Sequence, residues 1–127
     1  MNRQIQPSTI APPAAKYALA VLAESPSNLL HTSGIVPTKP DGSVPTDIAE
    51  QADVVWATIA ELLTEAGMTM RDIVSITTYV VAGNKLGPVM AARDRALDGH
   101  LVASTLITVP ALVRTEWLVE ISVVAAT

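Results

Sequence analysis

Hydrophobic residues recur along the chain with two different periods, and the changes of period mark the predicted elements. Between residues 48 and 66 the apolar positions are spaced by four and three: Ile48, Ala52, Val55, Ile59, Leu62 and Ala66. Such spacing places them on one face of an α-helix. Asp47 is expected to cap the first turn of this helix, and Gly67 to end it in a left-handed conformation.

Short apolar runs on both sides of this helix predict β-strands. Residues 17–23 and 28–34, separated by the turn sequence ESPS, are expected to form two antiparallel strands. Residues 72–81 are rich in β-branched side chains and predict a strand that is buried on both faces. Two further strands are expected at residues 102–109 and 118–125.

A second helix is expected from Leu86 to about Leu97, with Arg93, Asp94 and Arg95 facing solvent or a neighbouring chain. Residues 1–15 are expected to form an irregular arm, and the three prolines of residues 35–45 predict a loop. The predicted order is β-β-α-β-α-β-β, an α+β fold in which residues 1–127 form one domain.

The predicted layout leaves one face of its sheet without a cover. Two helices cover only one face of a five-stranded sheet, whereas several strands are apolar on both faces. Half of the 127 residues are hydrophobic and only 16% are charged, and the mean hydropathy is +0.40. A small soluble domain normally carries more charge than this. We therefore expect several copies to pack their sheets together, with ligand clefts between subunits.

Charge and composition argue against several classes of function. The net charge is −4, the cations are scattered, and 3% of the residues are aromatic, so the basic surface of a nucleic-acid-binding protein is not indicated. No run approaches the ~20 apolar residues of a membrane span. Without a signal peptide or cysteine, the sequence predicts a cytoplasmic protein with neither disulfides nor thiolate metal sites.

One carboxylate interrupts the final apolar run, WLVEISVVAA. Glu120 shares a strand face with Leu118, Ser122 and Val124. A carboxylate on a half-buried face can act as a general base or position a water molecule. It can equally be an edge charge paired with a nearby Arg or Lys. The pattern of the strand leaves both interpretations open.

Few other residues point to chemistry. His31 and His100 lack the carboxylate spacing of a metal site. Ser33 and Gly34 lie where a strand gives way to a loop, so their backbone N–H groups could hold a carboxylate, although turn geometry alone also explains the pair. The motifs of serine hydrolases, phosphate loops and dinucleotide-binding folds are missing.

Four stretches together resemble the Rid family of reactive intermediate deaminases, also called YjgF or L-PSP. They are APPAAKYALAV, HTSGIVPTKPDGSVPTDIAEQ, ELLTEAGMTMRDIVSITTYVV and WLVEISVVA, and the similarity runs from about Ala11 to Ala125. The resemblance implies a chorismate-mutase-like homotrimer with ligand clefts at the subunit interfaces. It also implies hydrolysis of imines and enamines to keto acids and ammonia, without metal or cofactor.

The resemblance implies roles for specific residues. Tyr17, Ser33, Gly34 and Glu120 match the family's tyrosine, its Ser-Gly backbone pair and the glutamate that positions the attacking water. By the same alignment, Ser104 and Thr105 are expected to line the substrate site.

Two family residues are missing from the chain. Where active members read PARS, this chain reads LVASTLI, which puts Ala103 at the position of the arginine that grips the substrate carboxylate. Met90 stands nearest to the position of the family's second-helix asparagine. The chain therefore resembles an arginine-lacking subgroup. Arg114 could supply the missing charge, or it could form a salt bridge with Glu116 at the rim.

These observations predict a trimer that binds a small carboxylate, such as an imino or keto acid. It would act as a deaminase with an altered substrate or as a metabolite-binding protein without catalysis. The ribonuclease and translation-inhibitor roles attached to the family's older names fit the acidic chain less well.

Overall fold

Two helices cover one face of a four-stranded sheet in the computed structural model, which describes residues 1–127. The strands are β1 (Asn2–Ile5), β2 (Ala20–Ala23), β3 (Leu29–His31), β4 (Ile73–Val81), β5 (Ala103–Val109) and β6 (Val119–Ala126). The helices are α1 (Ile48–Glu65) and α2 (Gly87–Leu97), and a 3₁₀ turn at Met70–Asp72 precedes β4. The predicted α+β class is confirmed.

Helix α1 begins and ends where its sequence predicts. The Asp47 carboxylate accepts the Glu50 N–H at 3.1 Å, and Gly67 has a φ of +72°. The buried stripe differs from the prediction at its C-terminal end, where Leu63 is buried and Leu62 is 39% exposed. The next buried position after Ile59 is thus four residues further along the helix, at Leu63, and not three residues further, at Leu62. Neither helix is long and apolar enough to cross a membrane.

The larger sheet has the strand order β3-β6-β4-β5. β4 runs parallel to β5 and antiparallel to β6. Alternate residues of β6 face the helices and are buried, among them Val119, Ile121 and Val123. β4 is not buried on both faces within one chain, because its outward positions are only half buried: Ser75, Thr77, Tyr79 and Val81. The uncovered face inferred from the sequence is therefore present.

The N-terminal segment differs from the prediction. Residues 2–5 do not belong to an irregular arm but form β1, which pairs antiparallel with β2 in a separate two-stranded sheet. The expected pairing of β2 with β3 is also wrong. Ser25, in the ESPS turn, has a φ of +47°, and the Ser27 N–H then donates to the Thr127 carbonyl. The chain after the turn is thereby directed onto β6, which β3 joins instead.

Helix α2 has the predicted extent, but one of its charged residues does not face solvent. Arg93 is only 6% exposed. It follows Val89 by four residues and precedes Leu97 by four, so it lies on the stripe that packs against the sheet. The expectation that Arg93 is a surface residue is therefore wrong.

Candidate functional site

Glu120 lies on the open face of β6, directly against the backbone of Gly34. The backbones of Ile35 and Ile121 exchange two hydrogen bonds, 2.7 and 3.1 Å long, and this bridge holds Gly34 beside Glu120. A Cβ atom built on Gly34 would overlap Glu120 Oε2 and lie 2.6 Å from its Cδ and 2.9 Å from its Cγ. The Glu120 side chain therefore occupies the space that any other residue at position 34 would fill.

The Glu120 carboxylate has no partner within the chain. It is half buried, takes part in none of the four ion pairs and accepts no protein hydrogen bond. The structure thus does not contain the edge ion pair that we considered as the alternative. A half-buried carboxylate with free acceptor positions can bind and orient a water molecule.

Tyr79 is a residue of this face that the sequence analysis did not single out. It lies directly opposite Glu120 in the β4–β6 pairing, where the Cβ atoms of facing residues are about 5 Å apart. One step along the sheet, a row of hydroxyl groups crosses three strands: Thr105, Thr77 and Ser122. The polar residues at alternate positions of β4 were the sequence signal for this face.

Ser33 lines a groove between the segment after β3 and the end of α1. The groove has a volume of about 450 Å³ and also includes His31, Leu62 and Glu65. Thr32 fixes the segment, since its hydroxyl accepts the Val123 N–H at 3.0 Å and donates to the Ser33 carbonyl at 2.8 Å. Ser33 precedes Gly34, which lies against Glu120, and a role for Ser33 in substrate binding stays a prediction.

Tyr17 and Ser104 lie at the opposite edge of the sheet. Ala18 donates to the Val102 carbonyl at 2.8 Å and pairs with Ala103 in a parallel bridge, so Tyr17 flanks the start of β5. The Ser104 hydroxyl lies on the helix side of β5, 3.5 Å from Nη1 of Arg93. Ala103 itself offers no charge.

A single chain does not unite these two groups of residues. Glu120 is on β6 and Thr105 on β5, and β4 runs between those strands. Two strand spacings amount to roughly 10 Å. The sequence-predicted site is therefore divided between the edge strand β5 and the inner strand β6 with the segment after β3, and the roles of its residues stay predictions.

Gln51 fixes the loops at one end of the site. Its buried side chain donates to the carbonyls of Pro45 (2.7 Å) and Glu116 (2.8 Å) and accepts the Leu118 N–H at 2.8 Å. One amide thus joins the segment before α1 to the segment that enters β6. Because Leu118 is two residues before Glu120, Gln51 helps to set the position of that strand.

The loop before α1 is organised by Asp41. The Ser43 hydroxyl donates to its carboxylate at 2.6 Å and the Ser43 N–H at 2.9 Å. These two hydrogen bonds hold the pKa of Asp41 below its usual value. The turn also places Gly42 at a φ of +89°, a conformation that glycine adopts without strain.

Arg114 lies on the surface in the loop between β5 and β6. Its side chain is 66% exposed, its Nη1 is 3.9 Å from the Glu116 carboxylate, and its guanidinium lies 5.4 Å from the centre of the Trp117 ring. These contacts correspond to the rim salt bridge that we considered for Arg114, an exposed interaction worth ~0–1 kcal/mol.

We expect Arg114→Ala to leave the affinity for a small keto acid unchanged and to lower stability by less than about 1 kcal/mol, because only surface contacts are removed. Calorimetric titration and thermal melting measure the two quantities. A loss of affinity at unchanged melting temperature would instead assign the anion contact to Arg114.

Comparison with known proteins decides the family. A model described as endoribonuclease L-PSP matches residues 8–127. The chain belongs to this family. A solved structure of YyfB from Yersinia pestis, a protein of unknown function of the conserved Rid protein family, has a TM-score of 0.89 and 30% identity. That match covers 99% of this chain and 98% of the other, so the Rid resemblance is confirmed.

Two further matches carry less weight, because one covers only about half of the chain and the other has low sequence identity. A RutC family protein from Haemophilus influenzae is 38% identical over 69 residues, which are 54% of this chain and 53% of that protein. The chain thus spans about half the length of that curated relative. Escherichia coli TdcF, solved with bound serine, has a TM-score of 0.73 and 19% identity over 98% of both chains, and shows that the fold is shared.

Proposed function

We propose that this protein is a homotrimer that binds a small imino acid, or its enamine form, between subunits and hydrolyses it to a keto acid and ammonia. The observation that carries the proposal is the half-buried Glu120 carboxylate, which has no protein partner and lies against the backbone of Gly34. Membership of the Rid and L-PSP family supports small-molecule chemistry of this type, and the serine bound to the structural neighbour TdcF is a ligand of similar size.

The chemistry needs one water molecule and no redox step. Glu120 accepts a proton from the water as its oxygen forms a bond to the imine carbon. Glu120 delivers this proton to the imine nitrogen, which gives a carbinolamine. The carbinolamine hydroxyl then passes its proton through Glu120 to the amino group, the carbon–nitrogen bond breaks, and ammonia leaves as the carbonyl forms. Imine and water are thus converted into ketone and ammonia, and Glu120 returns to its starting state.

The backbone beside Glu120 supplies donors for an anionic substrate. The N–H groups of Ser33 and Gly34 donate to no acceptor within the chain. Adjacent free N–H groups favour a carboxylate or a developing negative charge. A substrate held there would present its reacting carbon to the water bound by Glu120.

A trimer would complete the site and cover the open sheet face. Leu29 and Ile107 are 58% and 43% exposed, and both lie on the uncovered side of the sheet. We propose that the β5 edge of one copy, with Tyr17, Ser104 and Thr105, meets the open sheet face of the next copy beside Ser33, Gly34 and Glu120. This arrangement joins the two groups that a single chain keeps apart.

We expect Glu120→Gln to lower kcat by at least about 100-fold, because the amide cannot accept the proton of the attacking water. Affinity for the keto-acid product should change little. Glu116→Gln, an exposed carboxylate in the preceding loop, is the matched control and should keep full activity. Ammonia release from imines generated in situ by an amino-acid oxidase measures the rates. Light scattering should give both variants about three times the 13.3 kDa of one chain.

Ammonia release by the unmodified protein that is no faster than the uncatalysed background would reject the proposed hydrolase activity.

Ala103 supports a second candidate function, a trimer that binds a metabolite without catalysis, because it offers no charge where active family members have an arginine. Keto-acid binding without turnover would favour that candidate. Tight, salt-sensitive filter binding to RNA would instead support the activity named in the family's description.

A further inference from the structure

Tyr79 has a phenol hydroxyl that no group of the chain engages. The residue is half buried on the open face of the sheet, yet its hydroxyl takes part in no hydrogen bond within the chain. The buried side-chain atoms that lack a partner belong to Trp56, Arg93 and Trp117, so the Tyr79 hydroxyl is open to solvent. The other tyrosine differs, since its hydroxyl accepts the Ala14 N–H at 3.3 Å. Tyr79 therefore has a donor and an acceptor available for a ligand.

The backbone places Tyr79 and Glu120 side by side, with a gap between them. The Val81 N–H donates to the Leu118 carbonyl at 2.9 Å, in the antiparallel register in which Tyr79 faces Glu120. Their Cβ atoms are then about 5 Å apart on the same face of the sheet. The Glu120 carboxylate leans away from β4, because its Oε2 lies against Gly34 on the β3 side of β6. The two side chains thus leave an open space between the carboxylate and the phenol.

This space suits one water molecule that is held from both sides. Two hydrogen bonds made by the same water join oxygen atoms that are about 4.5 Å apart. The next hydroxyls on this face, Ser122 and Thr77, are two residues further along their strands, which is about 7 Å, and their side chains are shorter than a phenol. Ile107, on the far side of Tyr79, offers no polar group. Tyr79 is therefore the hydroxyl of this chain that is best placed to reach a water bound by Glu120.

We propose that Tyr79 is a positioning residue that holds the attacking water together with Glu120. The reaction itself rests on the proposed function, whereas the placement of the hydroxyl comes from the sheet register. The water donates one hydrogen to the Glu120 carboxylate and the other to the Tyr79 oxygen. A lone pair of the water then points away from both groups, toward the imine carbon.

Tyr79 gains and loses no proton in this scheme, and Glu120 performs every proton transfer. After the bond to carbon has formed, the phenol can donate a hydrogen bond to the same oxygen, because a hydroxyl is both a donor and an acceptor. Tyr79 thus holds that oxygen in the attacking water and in the carbinolamine.

The test separates the oxygen that Tyr79 holds from the rest of the ligand. 2-Hydroxybutyrate carries a hydroxyl on the carbon that the water attacks, and butyrate is the same acid without that hydroxyl. Both are titrated by calorimetry into the full chain, Tyr79→Phe and Ser75→Ala. Ser75 is the matched control because its hydroxyl is on the same face of β4, four residues before Tyr79, which is about 13 Å. Ammonia release, melting temperature and light scattering are measured on the same preparations.

We expect Tyr79→Phe to bind 2-hydroxybutyrate about 10-fold more weakly and butyrate as tightly as the unmodified protein, because only one hydrogen bond is lost. The kcat for imine hydrolysis should fall about 10-fold at an unchanged KM, since the lost contact is with the water and not with the imino acid. In a Glu120→Gln background the same change should cost little further activity, because the water has already lost its base. Melting temperature and mass should not change, since the hydroxyl has no partner within the chain. Ser75→Ala should match the unmodified protein in every measurement.

Equal affinity of Tyr79→Phe and the unmodified protein for 2-hydroxybutyrate would overturn the assignment. An equal loss for both acids, or a changed melting temperature or mass, would overturn it as well, because the hydroxyl would then shape the site or the assembly instead of holding an oxygen. Tyr79-dependent binding of the 2-hydroxy acid without ammonia release would reject the proposed hydrolysis and keep the assignment. Ammonia release with an unaltered kcat in Tyr79→Phe would keep the hydrolysis and reject the assignment. If the unmodified protein bound neither acid and released no ammonia, both would be rejected.

Discussion

Gly34→Ala is expected to lower turnover by about 100-fold or more while leaving the melting temperature nearly unchanged. The added methyl group would overlap Glu120 Oε2 and lie 2.6 Å from Cδ. The far end of a flexible side chain can move aside at small cost to stability. The carboxylate would then no longer stand where the water must be held, and a displacement of about 1 Å at a reacting group can reduce the rate 100-fold.

The control for this change is Gly87→Ala, since a Cβ at Gly87 meets no atom within 4 Å and its backbone is helical. Ammonia release and thermal melting are measured for both variants. In a Glu120→Gln background, Gly34→Ala should cost little further activity, because the group that it displaces is already inactive. Full turnover by Gly34→Ala would show that the position of Glu120 does not limit the reaction.

Gln51→Leu is expected to destabilise the fold by about 3 kcal/mol. Leucine fills a similar volume but leaves the carbonyls of Pro45 and Glu116 and the Leu118 N–H without their partner. Each buried polar group that loses its hydrogen bond costs about 1–3 kcal/mol, less where water can reach it. Activity should fall as well, because the segment that enters β6 loses its attachment to α1.

Urea denaturation at a fixed chain concentration measures this loss, since assembly makes the apparent stability depend on concentration. Gln4→Leu is the matched control, because Gln4 is exposed in β1 and a surface change of this kind is usually within about 0.5 kcal/mol. Equal urea midpoints for Gln51→Leu and Gln4→Leu would mean that water replaces the hydrogen bonds of the Gln51 amide without loss of stability.

The sequence predicted correctly the features that depend on residues close together in the chain. The Asp47 cap, the Gly67 stop and the alternation of β6 all follow from neighbours in sequence. β1 was missed because its residues, NRQI, contain no apolar run, and its strand character comes from pairing with the distant β2. Pairing of that kind has no local signature.

The candidate site was only partly predictable for the same reason. Resemblance to the family named Gly34 and Glu120, but their contact depends on the bridge between Ile35 and Ile121, which are far apart in sequence. Arg93 was misjudged because charge alone predicts exposure. Its spacing of four from both Val89 and Leu97 was the signal that it lies on the buried stripe.

The strand order has a consequence for biosynthesis. β6 follows both β3 and β4 in the sequence, yet it lies between them in the sheet. While residues 119–126 are still inside the ribosome, β3 lacks its neighbour and β4 is paired only with β5. One edge of β4 therefore stays unpaired until β6 has been translated and has left the ribosome, and only then can Glu120 reach Gly34.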